Sequence, residues 1–274
     1  MKFSFNTFNH TVFLGLEPTL PAQIAAAGEA GYEHIGVDVP SVLAHADAGL
    51  PMPALLDAMA AAGVTPYELN FWAIVPDVDA ARAGLAAALE VFDALGAVWL
   101  QSVVMGPVDE RVVAMVRDAT LALADRGARL AVEYLPTYPV CSIRDVLALN
   151  EAVGAPGVGV CIDAHHFFRG PDTFDDFDAL SDDDLAFLQF CDALPLGNMD
   201  MSDAMVNGRA MAGDGEFPLD EFCSHAVQRG YDSVVSVEIL SAAWRTRPIA
   251  EFVRASLEST RACFQRAEKA VGNG

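Results

Sequence analysis

Apolar and polar positions along the chain fall into a repeating order: a stretch with apolar residues at three- and four-residue spacing, a glycine, then a short apolar run. The short runs are read as strands in AGYEHIGVDV, AGVTPYELNF, LGAVWLQSVV, RGARLAVEYL, PGVGVCID, PLGNMDMS and RGYDSVVSVEI, with KFSFNTF in front of them. The glycine ahead of each run is the residue expected just past a helix C-terminus. Between the runs, PTLPAQIAAAGEAG, PALLDAMAAAG, DVDAARAGLAAALEVFDALG, DERVVAMVRDATLALADRG and SIRDVLALNEAVG read as helices, with polar starts at Thr19, Asp77 and Ser142. SDDDLAFLQF reads as one more helix, capped by Ser181 and carrying its aspartates at the positive end of the dipole. Eight strands alternating with helices over 274 residues predict one (β/α)8 TIM-barrel domain spanning 1–274. A doubly wound open sheet is the competing architecture, but no strand is followed by GxGxxG or a P-loop.

Several of these strands end on an acid. Glu133 closes LAVE, Asp163 closes VGVCID, Asp200 sits in LGNMDMSD and Glu238 in SVVSVEIL. Strand alternation places Glu133 on a face with Ala131, Asp163 with Cys161 and Gly159, Asp200 with Asn198, and Glu238 with Ser236. A barrel converges such strand ends on one opening, and carboxylates crowded there need a cation. All-oxygen ligation points to Mg²⁺ or Mn²⁺, with Zn²⁺ or Co²⁺ admitted by a neighbouring imidazole. Asp203 is read as orienting the loop after Asp200.

Charge narrows the partners. Lys and Arg number 16 against 38 Asp and Glu, for a formal charge of -22. That field repels phosphate backbones and anionic membranes, so neither nucleic acid nor a membrane is an expected partner. The cysteines Cys141, Cys161, Cys191, Cys223 and Cys263 are scattered without a CxxC pair, which fits a reducing cytoplasm. The amino terminus lacks the continuous apolar core of a signal peptide. Homo-oligomerisation is left open.

The series VEYLP, CIDAHHFFRG, MDMSDA, RAMAGDGEFPL and GYDSVVSVEIL resembles the sugar phosphate isomerase/epimerase superfamily, the xylose isomerase-like TIM barrels, over essentially the full chain. That family includes ketose 3-epimerases, inosose dehydratases and dehydroshikimate dehydratases. The resemblance implies a divalent metal held by Glu133, Asp163, the Asp200 position and Glu238. Asp200 stands where HxxD or QxxD would supply a neutral ligand, and it is read either as an anionic ligand or as a substrate-facing acid. The D-x-x-H element is matched by Asp163 and His166, which implies substrate contact or proton transfer by His166 rather than His165. Arg209, ahead of AGDGEF, is a candidate to bind substrate, as are His10, Trp72 and Tyr134 beyond strand ends.

Together with these residues, the resemblance implies a metal-dependent isomerase or epimerase of a small polyhydroxylated carbonyl compound. Glu133 and Glu238 would move the proton next to the carbonyl through an enediolate. A dehydratase on the same site is the alternative, and a metal-free polyol-binding barrel is the reading from another class.

Overall fold

Glycine-punctuated alternation does build a closed barrel in the computed structural model, which describes residues 1–272. The strands are β1 (Lys2–Asn6), β2 (His34–Asp38), β3 (Thr65–Ile74), β4 (Trp99–Val104), β5 (Arg129–Glu133), β6 (Val158–Asp163) and β7 (Leu185–Phe190). A two-residue ribbon follows, β8 (Asp192–Ala193) with β9 (Arg209–Ala210), and then β10 (Val234–Val237). All barrel pairings are parallel, and β1 pairing with β10 closes the ring; β8 and β9 pair antiparallel outside it. The chain is a (β/α)8 TIM barrel.

Sequence-local chemistry sets the helix limits. Asp77, Asp109 and Ser142 each accept a backbone N–H in the first turn of helices Val78–Leu95, Glu110–Ala124 and Ile143–Val153. The long amphipathic helix Ile249–Gly272 packs against Leu20–Ala30 and Leu219–Gln228, shielding the seam between β10 and β1. Among the described residues no helix is long and apolar enough to cross a membrane.

One expected element is wrong. The seventh barrel strand is LAFLQF, read from sequence as a helix, while the segment read as that strand, PLGNMDMS, is a loop leading into helix Met201–Asn207. Ser181 does cap a turn, its backbone oxygen accepting from Leu185 N and its hydroxyl pairing with Asp184. That turn ends at once. All six residues of β7 are buried, and a nearly continuous apolar run, broken here by Gln189, is the mark of a parallel strand covered on both faces.

Inward-facing side chains stack in layers. Tyr67, Trp99, Ala131, Cys161, Ala186, Phe187 and Val234 form an apolar plug at the amino-terminal end. Gly159 makes room for it, since a Cβ there would meet Ala186 and the Trp99 ring. Above the plug Glu68 lies fully buried, accepting from the hydroxyls of Ser4 at 2.9 Å and Ser236 at 2.5 Å. A side chain at Gly36 would collide with its carboxyl group. The next layer up is polar and opens to the outside.

Candidate active site

Most groups in the upper layer come from the carboxyl end of a barrel strand or the residue just past it, where the pleat turns them inward. Asn6 ends β1, Glu133 ends β5, Asp163 ends β6, Gln189 stands one residue before the end of β7, and Glu238 follows β10. All are buried. Gln101 of β4 donates to Glu133 Oε2 at 2.6 Å and accepts from Gln189 at 3.2 Å. Glu238 Oε1 accepts from Asn6 at 3.0 Å and from Gln189 at 3.3 Å. Asn70 in turn donates to Asn6 at 2.6 Å.

Two further residues reach this floor from outside the barrel wall. His166, in the short helix Ala164–Arg169, places Nε2 3.1 Å from Glu133 Oε1 and 3.9 Å from Asp163 Oδ2. Arg209 enters on the β8–β9 ribbon, with Nη1 2.5 Å from Asp163 Oδ2 and 3.2 Å from Glu238 Oε2. The ribbon is cinched by buried Asp192, whose carboxylate accepts backbone N–H groups from Ala193, Gly213, Gly215 and Phe217 at 2.8 to 3.0 Å.

Electrostatics divides the acids. Burial alone would raise Asp163, but the charge of Arg209, reinforced by His166, holds it down to about 2. Glu238 moves the other way: burial, reinforced by the charges of Glu133 and Asp163 and opposed by Arg209, pushes it well above the ordinary carboxylate range. His165 is held down to about 2 by burial and by Arg209, so its ring is neutral.

A cavity of about 290 Å³ stands over these groups. Asn70, Gln101, Glu133, His166, Arg209 and Glu238 provide its polar lining, and Phe8, Phe13, Phe71, Leu135, Met205 and Leu240 contribute to apolar walls.

Of the residues singled out in the sequence, the structure brings Glu133, Asp163, His166, Arg209 and Glu238 together. Asp200 is elsewhere: it is exposed and caps helix Met201–Asn207 by accepting from Asp203 N at 2.8 Å, because its segment is not a strand. Asp203 is likewise exposed and accepts from Asn207. Trp72 is buried, donating Nε1–H to Ala81 O in the flanking helix, and Tyr134 follows Glu133, so alternation sends it into the outer core. His10 engages Thr19 at 3.2 Å. None of these three lines the cavity. The residue the sequence reading missed is Gln189. Its signal was present, since Gln189 and Asp192 have Q-x-x-D spacing directly after an apolar run.

The floor suits a cation. Glu133, Asp163 and His166 each offer one donor atom within 4.8 Å of one another. The Arg209 guanidinium already rests between Asp163 and Glu238, which marks a position where positive charge is stabilised. Carboxylate and amide oxygens beside one imidazole are a donor set for a hard or borderline divalent ion.

The fold agrees with what the chain is similar to. The family model described as xylose isomerase-like TIM barrel matches residues 24–263, and the chain belongs to that family. The IolI protein, in a crystal structure with a bound zinc atom, has a TM-score of 0.85 at 17% identity, covering 97% of this chain and 99% of IolI. A xylose isomerase-like TIM barrel/4-hydroxyphenylpyruvate dioxygenase fusion protein has a TM-score of 0.84 at 20% identity, covering 100% of this chain and 44% of the fusion. The probable 3-DHS dehydratase AsbF of Bacillus anthracis, involved in petrobactin synthesis, has a TM-score of 0.75 at 15% identity, covering 95% and 99%. Ketose 3-epimerases share the fold as well. No curated protein matches the chain in sequence. At these identities the structural likeness establishes the fold.

Proposed function

We propose that this chain is a divalent-cation-dependent dehydratase of a small cyclic hydroxyketone. The observation that carries the reading is the unequal freedom of the two glutamates expected to share proton transfer. Glu238 is gripped at Oε1 by Asn6 and Gln189 and at Oε2 by Arg209. Among the described residues Glu133 meets Gln101 and His166 alone, and Glu133 and His166 both line the cavity. One available base on one face suits elimination better than inversion, which needs a second group opposite.

Glu133 takes the proton from the carbon beside the carbonyl. The hydroxyl on the next carbon departs with that same proton as water, leaving a carbon–carbon double bond conjugated to the carbonyl. His166 faces the same group, and Arg209 orients a hydroxyl or acidic substituent of the substrate. Glu133, Asp163, Gln189 and Glu238 would hold the cation, one Glu133 oxygen staying available for the proton. Mg²⁺ or Mn²⁺, with Zn²⁺ or Co²⁺ as alternatives, supplies Lewis-acid polarisation of the carbonyl there. A carbocycle fits the walls better than an open-chain sugar does. Its polar edge meets the floor and its ring faces meet the apolar sides.

The isomerase or epimerase reading is second, favoured by Glu238, a carboxyl group on a different strand whose pKa burial pushes up. Metal-replete protein tested on cyclic hydroxyketones and ketoses separates the two. Elimination gives ultraviolet absorbance of the conjugated product, abolished by chelation and restored by added Mg²⁺ or Mn²⁺. Deuterium uptake from solvent with inversion and no loss of water would overturn the dehydratase in favour of the epimerase. Binding without turnover by metal-replete protein would leave the non-catalytic polyol-binding barrel.

A further inference from the structure

We propose that the substrate carries an apolar substituent, an aromatic or alicyclic hydrocarbon group, seated on Phe8, Phe13 and Phe71 at the cavity mouth. The inference rests on the proposed function in taking the acidic floor as the place where the reacting end binds.

Two turns and a strand bring these rings together. Phe8 lies in the short helical turn Thr7–His10, its backbone N–H held by Asn6 Oδ1 at 2.9 Å, so the amide that grips Glu238 also sets the first ring. Phe13 follows in the turn Val12–Leu14, its N–H held by Thr11 Oγ1 at 3.1 Å. The Thr7 and Thr11 hydroxyls donate to buried Asp38 at 2.8 and 2.6 Å, which pins both turns to the end of β2. Phe71 lies where the pairing of β3 with β4 slips, between Leu69 and Trp72, and it lines the cavity beside Asn70. Its ring stands edge-on to Phe8 at 5.4 Å and to Phe13 at 6.2 Å, and Phe8 and Phe13 are 5.7 Å apart.

The cluster is continuous with the floor, since all three rings line the same cavity as Glu133, His166 and Arg209. Phe13, though fixed by its turn, is 61% exposed, an aromatic surface whose contact with water is relieved when something apolar covers it. Above the floor Tyr138 and Ser202 are the polar side chains of the lining, and the remainder is apolar. A distal hydroxyl of a sugar or polyol placed there would give up water without gaining a partner. A hydrocarbon group loses nothing of that kind, and edge-on rings suit a further aromatic ring. Size agrees, because a dry cavity of about 150 Å³ already holds benzene. At about 290 Å³ this one has room for the reacting ring and a second group of similar size.

Binding to Mg²⁺-loaded protein is compared for 5-phenylcyclohexane-1,3-diol and cyclohexane-1,3,5-triol, which lack a carbonyl and so report recognition without reaction. The phenyl compound is expected to bind at least about tenfold more tightly. Phe71→Ala should reduce that preference to about threefold or less, whereas Phe71→Leu keeps most of it. Phe13→Ala, which removes little packing because the ring is exposed, should lower it as well and decides the matter should Phe71→Ala fail to fold. No binding of the phenyl compound, equal binding of the two, or a preference untouched by Phe13→Ala would overturn the proposal. So would a dimer in sedimentation that Phe13→Ala converts to monomer, since a second copy would then be what covers the ring. Turnover keeps this apart from the reaction assigned above. Elimination from 3-hydroxycyclohexanone as efficient as from its 5-phenyl derivative would keep the dehydratase and sink the substituent, while epimerisation with the phenyl preference intact would do the reverse.

Discussion

Two layers of buried carboxyl groups lie one above the other inside this barrel, and they are stabilised by opposite means. In the lower layer Glu68, below the cavity, accepts from the hydroxyls of Ser4 and Ser236 and among the described residues has no ion-pair partner. Burial raises it from 4.5 to about 7, against the opposing pull of those hydroxyls. In the upper layer Asp163 is ionised against Arg209, and the acids face amides, an imidazole and an open cavity. Three strands contribute to both layers, with Ser4 and Asn6 on β1, Glu68 and Asn70 on β3, and Ser236 and Glu238 at β10, while β4 to β7 add Gln101, Glu133, Asp163 and Gln189 to the upper one. One step along the pleat converts a quiet acid, most stable when protonated, into part of a charged site. The difference lies in the partners, since burial is nearly equal.

The sharpest break comes from the upper layer. Asp163→Asn leaves Arg209 buried with its main counter-charge gone, so unfolding free energy in urea should fall by about 3–5 kcal/mol. A loss below about 1 kcal/mol would mean that the pair is not what neutralises this layer. The lower layer responds to pH instead. Because the folded state holds the Glu68 proton more tightly than the unfolded chain does, its contribution is complete below about pH 4.5 and declines as pH rises toward 7. The decline amounts to about 3 kcal/mol and levels off above pH 7. Glu68→Gln should flatten that part of the stability profile without moving metal affinity; a profile identical to wild type would remove the contrast between the layers. The smallest effect is expected at Asp200, which belongs to neither. Asp200→Ala should cost about 1 kcal/mol through the lost helix cap and leave divalent-cation affinity unchanged.

Periodicity made the barrel legible because each unit carries its own glycine stop and apolar run. It failed at β7, where an acid-rich turn and a continuous apolar stretch satisfy helix and buried strand alike. That single error carried Asp200 into the expected site and left Gln189 out of it. Acids at strand ends were readable as Glu133, Asp163 and Glu238, since a charge closing an apolar run is conspicuous. Uncharged partners such as Asn6 and Gln101 were not, because an amide within a strand has no unusual spacing, whereas the Q-x-x-D signal of Gln189 was hidden by the helix reading of its strand. Trp72 and Tyr134 were misjudged for a related reason: lying beyond or near a strand end does not tell which side of the wall a residue faces.

The guanidinium in the site arrives on the β8–β9 ribbon, whereas the acids belong to the staves of the barrel or their immediate continuation. The two kinds of charge are thus mechanically separable. Lengthening or retiming the excursion between Ala193 and Arg209 would move the positive group across the opening while barrel registration stayed intact. New specificities could therefore arise by editing one surface detour, with the acid-lined pit inherited unchanged.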